Sequence, residues 1–215
     1  MNNKELPIIV LGAGGHAKVL IDVLKLMQVN IIGIAERNDC LKKRQLLGIS
    51  IIGDDDDVLL YSPDEVLLVN GLGSTRSLTA RKTLFDKFCK KGYCFARVIH
   101  PSAIIAGDVV IGEGSQIMAG SVIQTGTVIG NNTIVNTRAS IDHDCIIGDS
   151  VHVASGAILS GDVKIGDCSH VGAGAIVIQG ISIGTCCLIA AGAVVINQVE
   201  PKTTIVGVPG RRVLQ

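Results

Sequence analysis

From Ala103 to Val195 an aliphatic residue recurs at every sixth position without a failure, beginning Ile105, Ile111, Ile117, Ile123 and ending Ile183, Ile189, Val195. Four residues after each of these stands, almost throughout, a small or β-branched residue, among them Val109, Ser115, Thr127, Ala139, Cys145, Ala157, Ala175 and Cys187. The two registers lie two apart modulo six, so each sextet is a short strand that points both side chains the same way and then turns a corner. Three such sextets close one coil. Coils of this kind stack at roughly 4.8 Å per rung around one aliphatic core and leave Gly, Asn and Asp for the corners. Gly112, Gly130, Gly148, Gly166, Gly172 and Gly184 are expected there. A β-sandwich does not hold one six-residue phase over so long a stretch, and the repeat therefore specifies a solenoid.

Spacing does not set the hand of the coil, and the usual crossover preference favours a right-handed one. The repeat resembles that of the hexapeptide-repeat acyltransferases, and the resemblance implies an all-β, left-handed parallel β-helix over residues 101–215.

Charge and cysteine usage narrow the partners. Lys and Arg number 19 against 19 Asp and Glu, and the largest basic cluster is Lys42-Lys43-Arg44, which argues against nucleic acid. No apolar run reaches the roughly eighteen residues of a spanning helix. Met1 to Pro7 reads as a polar lead into a strand rather than a signal sequence, so a soluble, cytoplasmic chain is expected. The seven cysteines, at 40, 89, 94, 145, 168, 186 and 187, are odd in number, form no C-x-x-C and partly occupy inward repeat positions. Reduced thiols account for them better than disulfides or zinc. An aromatic content of 2% without Trp suits a narrow core of aliphatics.

Residues 1–100 follow another grammar, that of a small Rossmann-like α/β domain. Leu6 to Leu11 is an apolar strand ending in Gly12-Ala13-Gly14-Gly15-His16, after which Val19, Leu20, Val23, Leu24 and Met27 recur at helical spacing, and Asn30 to Ala35 reads as a second strand ending at Glu36. Glu65 to Val69 makes another strand, closed by Asn70-Gly71-Leu72-Gly73-Ser74, and Ser77 to Lys91 a second helix. Val98 to Pro101 joins this domain to the coil.

Gly12-x-Gly14-x-x-Ala17, with Glu36 at ribose-binding distance, matches the dinucleotide fingerprint. A doubly wound dinucleotide domain needs roughly 150 residues, more than precede the repeat. Three readings stay open: a tight turn and nothing more, a nicotinamide site, or a half-size nucleotide site. In the last, free N–H groups at the helix start hold a phosphate and Gly71 to Ser74 form the other wall; this is the preferred reading.

The outward positions of the coil also carry information. One face reads Ile104, Val122, Ser140, Ile158, Ile176, Val194, more hydrocarbon than a monomer exposes. Another reads Gln116, Ile134, His152, His170, Leu188. A greasy face and a different partner face predict a heterologous contact closing into a homotrimer. At the edge of the greasy face stands Asp142-His143-Asp144, where flanking carboxylates hold an imidazole in one tautomer and raise its basicity, as a general base requires. The alternative is a solvated turn residue. His152, His143 and His170 raise a metal reading as well, but stacking aligns only His152 with His170 and zinc needs converging ligands; no metal is expected, and His170 reads as a surface or interface residue.

In order, Gly12-Ala13-Gly14-Gly15-His16, Asn136-Thr137, Asp142-His143-Asp144-Cys145, His152-Val153 and Val206-Gly207-Val208-Pro209-Gly210 resemble the bacterial sugar acetyltransferases that join a nucleotide-sugar-binding α/β domain to a left-handed β-helix. That family includes sialic acid O-acetyltransferases and the N-acetyltransferases acting on UDP-4-amino-4,6-dideoxy sugars, among them the bacillosamine-pathway enzyme. The resemblance implies that His143 is the base and Asp144, a Glu in the bacillosamine enzyme, its partner. It implies that His152 meets the acetyl carbonyl of acetyl-CoA and that backbone near Gly161, Ala173 and Ala191 lines the pantetheine groove between subunits. Gly14, Gly15, His16, Glu36 and Gly73 would hold the nucleotide sugar. The chain departs from the family at Ala190-Ala191, where glycine is common, and at Glu36-Arg37, where the bacillosamine enzyme pairs two Asp. The expected activity is acetyl transfer from acetyl-CoA to the 4-amino group of a nucleotide-linked sugar. The alternatives are O-acetylation of sialic acid or a related sugar, and a trimeric binding or scaffold module without chemistry.

Overall fold

The computed structural model describes residues 6–37, 45–74 and 79–213. Cys40, the Lys42-Lys43-Arg44 cluster, most of the polar start and the first residues of the expected second helix lie outside the described residues. The first domain runs β1 (Ile8–Leu11), α1 (Gly15–Leu26), β2 (Ile31–Ala35), β3 (Gln45–Leu46), β4 (Ile49–Gly53), β5 (Leu67–Asn70) and α2 (Ala80–Cys89). Its sheet has the order β3-β4-β2-β1-β5, parallel except for the β3–β4 hairpin. Alternation along β1 sends Ile8 and Val10 toward Leu20 and Leu24 of α1, and Ile9 and Leu11 toward Leu84 and Phe88 of α2. The helical pattern seen in the sequence is right for Leu20, Val23 and Leu24, but Val19 and Met27 stay exposed. The hairpin β3–β4 has no counterpart in the sequence reading, because β3 is only two residues long and the pair sits between runs of charge.

From Val98 onward the chain winds as a parallel β-helix. Two-residue strands pair with those 18 positions on, as in Ile104↔Val122, Gln116↔Ile134 and Val128↔Ile146. The aliphatic register and the small register both point inward, so Ile117, Ile129, Ile141 and Val153 alternate with Ala139, Cys145, Ala157 and Ala193 in one core. Buried hydroxyls in the small register donate to corner carbonyls one coil on: Ser115 Oγ to Gly130 O at 2.6 Å, Thr133 Oγ1 to Gly148 O at 2.8 Å, Ser169 Oγ to Gly184 O at 2.8 Å. A Cβ on Gly112 would lie 2.5 Å from the Gly130 carbonyl carbon, so coil-to-coil contact demands glycine there. The left-handed backbone falls two residues later, at Gly114, Asn132, Ser150, Cys168 and Cys186. The six described cysteines are free, with Cys145 and Cys187 in the inward register.

Three stacked faces result. The greasy face leaves Ile104 and Ile158 exposed and Val122, Ile176 and Val194 half-buried. The face of Gln116, Ile134, His152, His170 and Leu188 corrects the sequence expectation: it is no free partner face over most of its height, because the chain's own α/β domain covers it and leaves the first four buried, while Leu188 at its end stays exposed. Outward periodicity in a solenoid cannot report a cover supplied from a hundred residues away. On the third face Val110, Val128 and Ile146 are exposed, followed by Lys164 and Ser182.

Candidate active site

Polar contacts between the domains start at the end of β5. Asn70 Nδ2 donates to Asn132 Oδ1 at 3.1 Å, and Gln116 Nε2 donates to Asn70 O at 2.8 Å. Arg81, at the start of α2 and fully buried, donates from Nε to Asn132 O at 2.9 Å and from Nη1 to Asn70 O and Leu72 O at 2.8 and 2.7 Å. Burial pushes its pKa down to about 9, and among the described residues its Nη2 has no hydrogen-bond partner. No sequence signal marked Arg81, because an arginine in the first turn of a helix normally faces water.

Between the domains lies a cavity of about 770 Å³, lined by Gly14, Gly15, His16 and Gly73 on one side and Asn136, Thr137, His152 and Ser155 on the other. Gly14 is the extended residue before α1 and has no side-chain cap, so no side chain takes up the first N–H groups of the helix, the arrangement in which a helix start can hold an anion. A Cβ on Gly14 or Gly15 meets nothing within 4 Å, whereas one on Gly71 would strike Leu11 O at 2.6 Å. The first two glycines therefore serve the cavity and the third serves packing.

Amide orientations fix the histidine tautomers around this cavity. Gln116 spends its N–H on Asn70, so its Oε1 accepts from Nε2–H of His16 at 2.7 Å. Asn136 Oδ1 accepts from Thr137 N–H at 2.8 Å, so its Nδ2 donates to His152 Nε2 at 3.2 Å. His152 Nδ1–H then donates to Ser74 Oγ at 2.7 Å, and the Ser74 hydroxyl donates to His170 Nδ1 at 3.0 Å. Burial, helped by the Arg81 charge, lowers His16 to about 4. Burial followed by the neighbouring His170, His16 and Arg81 lowers His152 to about 2, and burial alone lowers His170. All three are neutral at pH 7. His170 thus faces the chain's own first domain. Among the described residues no group of three or more His, Cys, Asp or Glu is placed to hold a metal ion.

Glu36 lies across the Gly12 turn, where its Oε2 accepts from Ala13 N–H at 2.7 Å. It borders a second cavity of about 280 Å³ with Gly12, Arg37, Asp55, Leu84 and Lys87. Asp55 there pairs with Arg37 and, at 3.2 Å, with Lys87.

His143 stands on the corner after the greasy face. Its backbone N–H donates to Asp142 Oδ1 at 2.9 Å and its Nδ1–H to Asp144 Oδ2 at 2.8 Å, which leaves the Nε2 lone pair free to take a proton. The Asp144 hydrogen bond, then the charges of Asp142, Asp144 and Asp162, raise the basicity of this exposed imidazole. Gly161 lies one coil below the ring. Ala173 and Ala191, both exposed, stack on the corner before the greasy face, in line with the cavity residues Thr137 and Ser155. Within one chain the sequence-assigned residues therefore fall on two edges. His152, Ala173 and Ala191 are on the cavity edge, while His143, Asp144 and Gly161 are on the other.

The stacked six-residue turns, together with the similarities to known proteins, define the class of the chain as an acyltransferase of the hexapeptide class. Residues 7–88 match the PglD N-terminal domain and residues 126–161 the bacterial transferase hexapeptide (six repeats). No curated protein sequence matches the chain significantly. Among solved structures, perosamine N-acetyltransferase from Caulobacter crescentus, a His-to-Asn variant with CoA and GDP-perosamine, is 31% identical over 97% of both chains with a TM-score of 0.91. The acetyltransferase domain of PglB from Neisseria gonorrhoeae with acetyl coenzyme A is 30% identical over 96% of this chain and 98% of that one, TM-score 0.89. WeeI from Acinetobacter baumannii is 26% identical over 97% of this chain and 100% of that one, TM-score 0.87. The chain belongs to the bacterial sugar acetyltransferases that join a PglD-type N-terminal domain to a hexapeptide-repeat β-helix.

Proposed function

We propose that this protein transfers the acetyl group of acetyl-CoA to the amine of a nucleotide-linked amino sugar, with His143 as general base. The observation that carries the proposal is the His143–Asp144 pair, whose tautomer leaves Nε2 free and whose surroundings make it more basic than an ordinary imidazole. The amine nitrogen attacks the thioester carbonyl carbon as Nε2 takes its proton, a tetrahedral oxyanion forms, and the same imidazolium returns the proton to the departing CoA sulfur. Removing a positioned base of this kind typically costs about 10²–10⁴ in rate.

Residues 1–100 are assigned to the nucleotide sugar and 101–215 to acetyl transfer. The diphosphate lies on the amides of Gly14 and Gly15 beside His16 and Gly73, and the base and ribose reach toward Glu36 and the smaller cavity. Relatives of this chain are described with CoA and GDP-perosamine or with acetyl coenzyme A, which supports both ligands. Because His143 and His152 stand on opposite edges of one chain, the complete site is assigned to a homotrimer in which a neighbouring copy brings His143 to the cavity edge. Among the described residues no helix is long and apolar enough to cross a membrane, and free thiols fit the reducing cytoplasm.

The test is thiol release from acetyl-CoA in the presence of UDP-, GDP- and dTDP-linked amino sugars, with mass analysis of the product. Acetylation of a free sialic acid hydroxyl, with every amino sugar left untouched, would overturn the N-acetyl assignment.

A further inference from the structure

Gly161 is a glycine for a reason unlike that of Gly112 or Gly166. Its backbone is outside the left-handed region, and a Cβ there would not strike the next coil, as it would at Gly112 or Gly166. The Cβ would instead lie 2.6 Å from both Cε1 and Nε2 of His143 and 3.2 Å from its Nδ1. The imidazole thus rests on the bare Cα of the coil below, and Asp162 N–H, next in sequence, donates to His143 O at 2.9 Å. The partner carboxylate also lies over a glycine, since a Cβ on Gly126, one coil above Asp144 and itself in the left-handed region, would meet its Oδ1 at 2.4 Å.

Resting on the general-base reading above, we propose that Gly161 is a positioning residue for His143, whose missing side chain holds the imidazole where Nδ1 reaches Asp144 and Nε2 faces the acceptor amine. Three carboxylates face the ring: Asp142 and Asp144 on its own corner and Asp162 on the corner below, the last also 3.6 Å from Lys164 Nζ. A methyl group at 161 leaves the backbone N–H in place, so any hydrogen bond that amide makes to an acyl oxygen survives the substitution. The ring is more than half exposed and swings away more cheaply than the coil deforms. Restoring ordinary contact moves it by roughly 1 Å, and displacements of that size at a reacting centre cost up to about 10²-fold.

The experiment is Gly161→Ala, with Gly107→Ala as control, because Gly107 stands on the same corner two coils above His143 and a Cβ there meets nothing within 4 Å. His143 is titrated by NMR in the substrate-free protein, and kcat and KM are measured beside it. In Gly161→Ala the His143 titration is expected to fall toward that of an ordinary imidazole, kcat to drop about 10- to 100-fold with both KM values within about two-fold, and Asp144→Asn to add little further. Gly107→Ala matches wild type. An unchanged His143 titration in Gly161→Ala overturns the inference whatever the activity. Because the titration needs no substrate, failure of the acetyl-transfer reading is told apart by the absence of turnover in wild type.

Discussion

Acidification tests the buried histidine cluster directly. His16 and His152 are held neutral in the fold, at about 4 and about 2, but titrate near 6.5 once the chain unfolds. Their folded values are depressed, so between pH 6.5 and 4 the unfolded state binds protons that the folded state refuses, and stability falls as pH falls. At pH 5 each histidine costs about 2 kcal/mol relative to pH 8, from 1.5 pH units at about 1.36 kcal/mol per unit, and the two together cost about 4 kcal/mol. His170 adds in the same direction. His143, whose basicity is raised, acts with the opposite sign, so the measurement is cleanest in a His143→Ala background. Urea unfolding at pH 8, 6.5 and 5 should show a slope approaching 2.7 kcal/mol per pH unit at the acid end, the signature of two protons taken up on unfolding. In His152→Gln the loss between pH 8 and 5 should shrink by about half. A stability that stays level over this range would mean that the histidines protonate in place, and the neutral relay through Ser74 would be wrong.

For the reaction itself, His143→Ala should lower kcat about 10²–10⁴-fold while acetyl-CoA binding by calorimetry persists. Asp144→Asn should cost less and move the acid limb of the pH–rate profile to lower pH, since the strongest support of the raised basicity is gone. Gly14→Val should raise the acceptor KM at least ten-fold with acetyl-CoA affinity unchanged, because the added side chain enters the cavity without touching packed atoms; equal loss of both ligands would mark a folding defect. Ile158→Lys, at an exposed aliphatic in the middle of the greasy face, should abolish the trimer and the activity together, and a wild-type chain that sediments as a monomer at micromolar concentration refutes that assembly.

The coil was legible in the sequence because its period is strict and its core is made by neighbours 18 residues apart, a separation that every strand repeats. The corner position of His143 was legible for the same reason, since it follows from the phase, and its flanking carboxylates are its neighbours in sequence. What escaped the sequence is long-range. Nothing local tells that Gln116 and His152 look into a domain interface, that Asn132 meets Asn70 across 62 positions, or that Arg81 is a buried strut rather than a surface charge. Each depends on how the α/β domain leans on the coil, which no periodicity encodes.

That lean also sets a gauge for the prism. The first domain clasps the coils from Glu113, which accepts from Phe95 N–H, down to His170, and its reach fixes how many rungs stand between those contacts. A whole coil inserted beyond Leu188 lengthens the molecule and leaves the clasp intact. The same 18 residues inserted between Gln116 and His152 would carry the Ser74 partners one rung out of reach. Growth by repeat duplication is therefore open at one end of this protein and closed along the stretch where the two domains are matched in height.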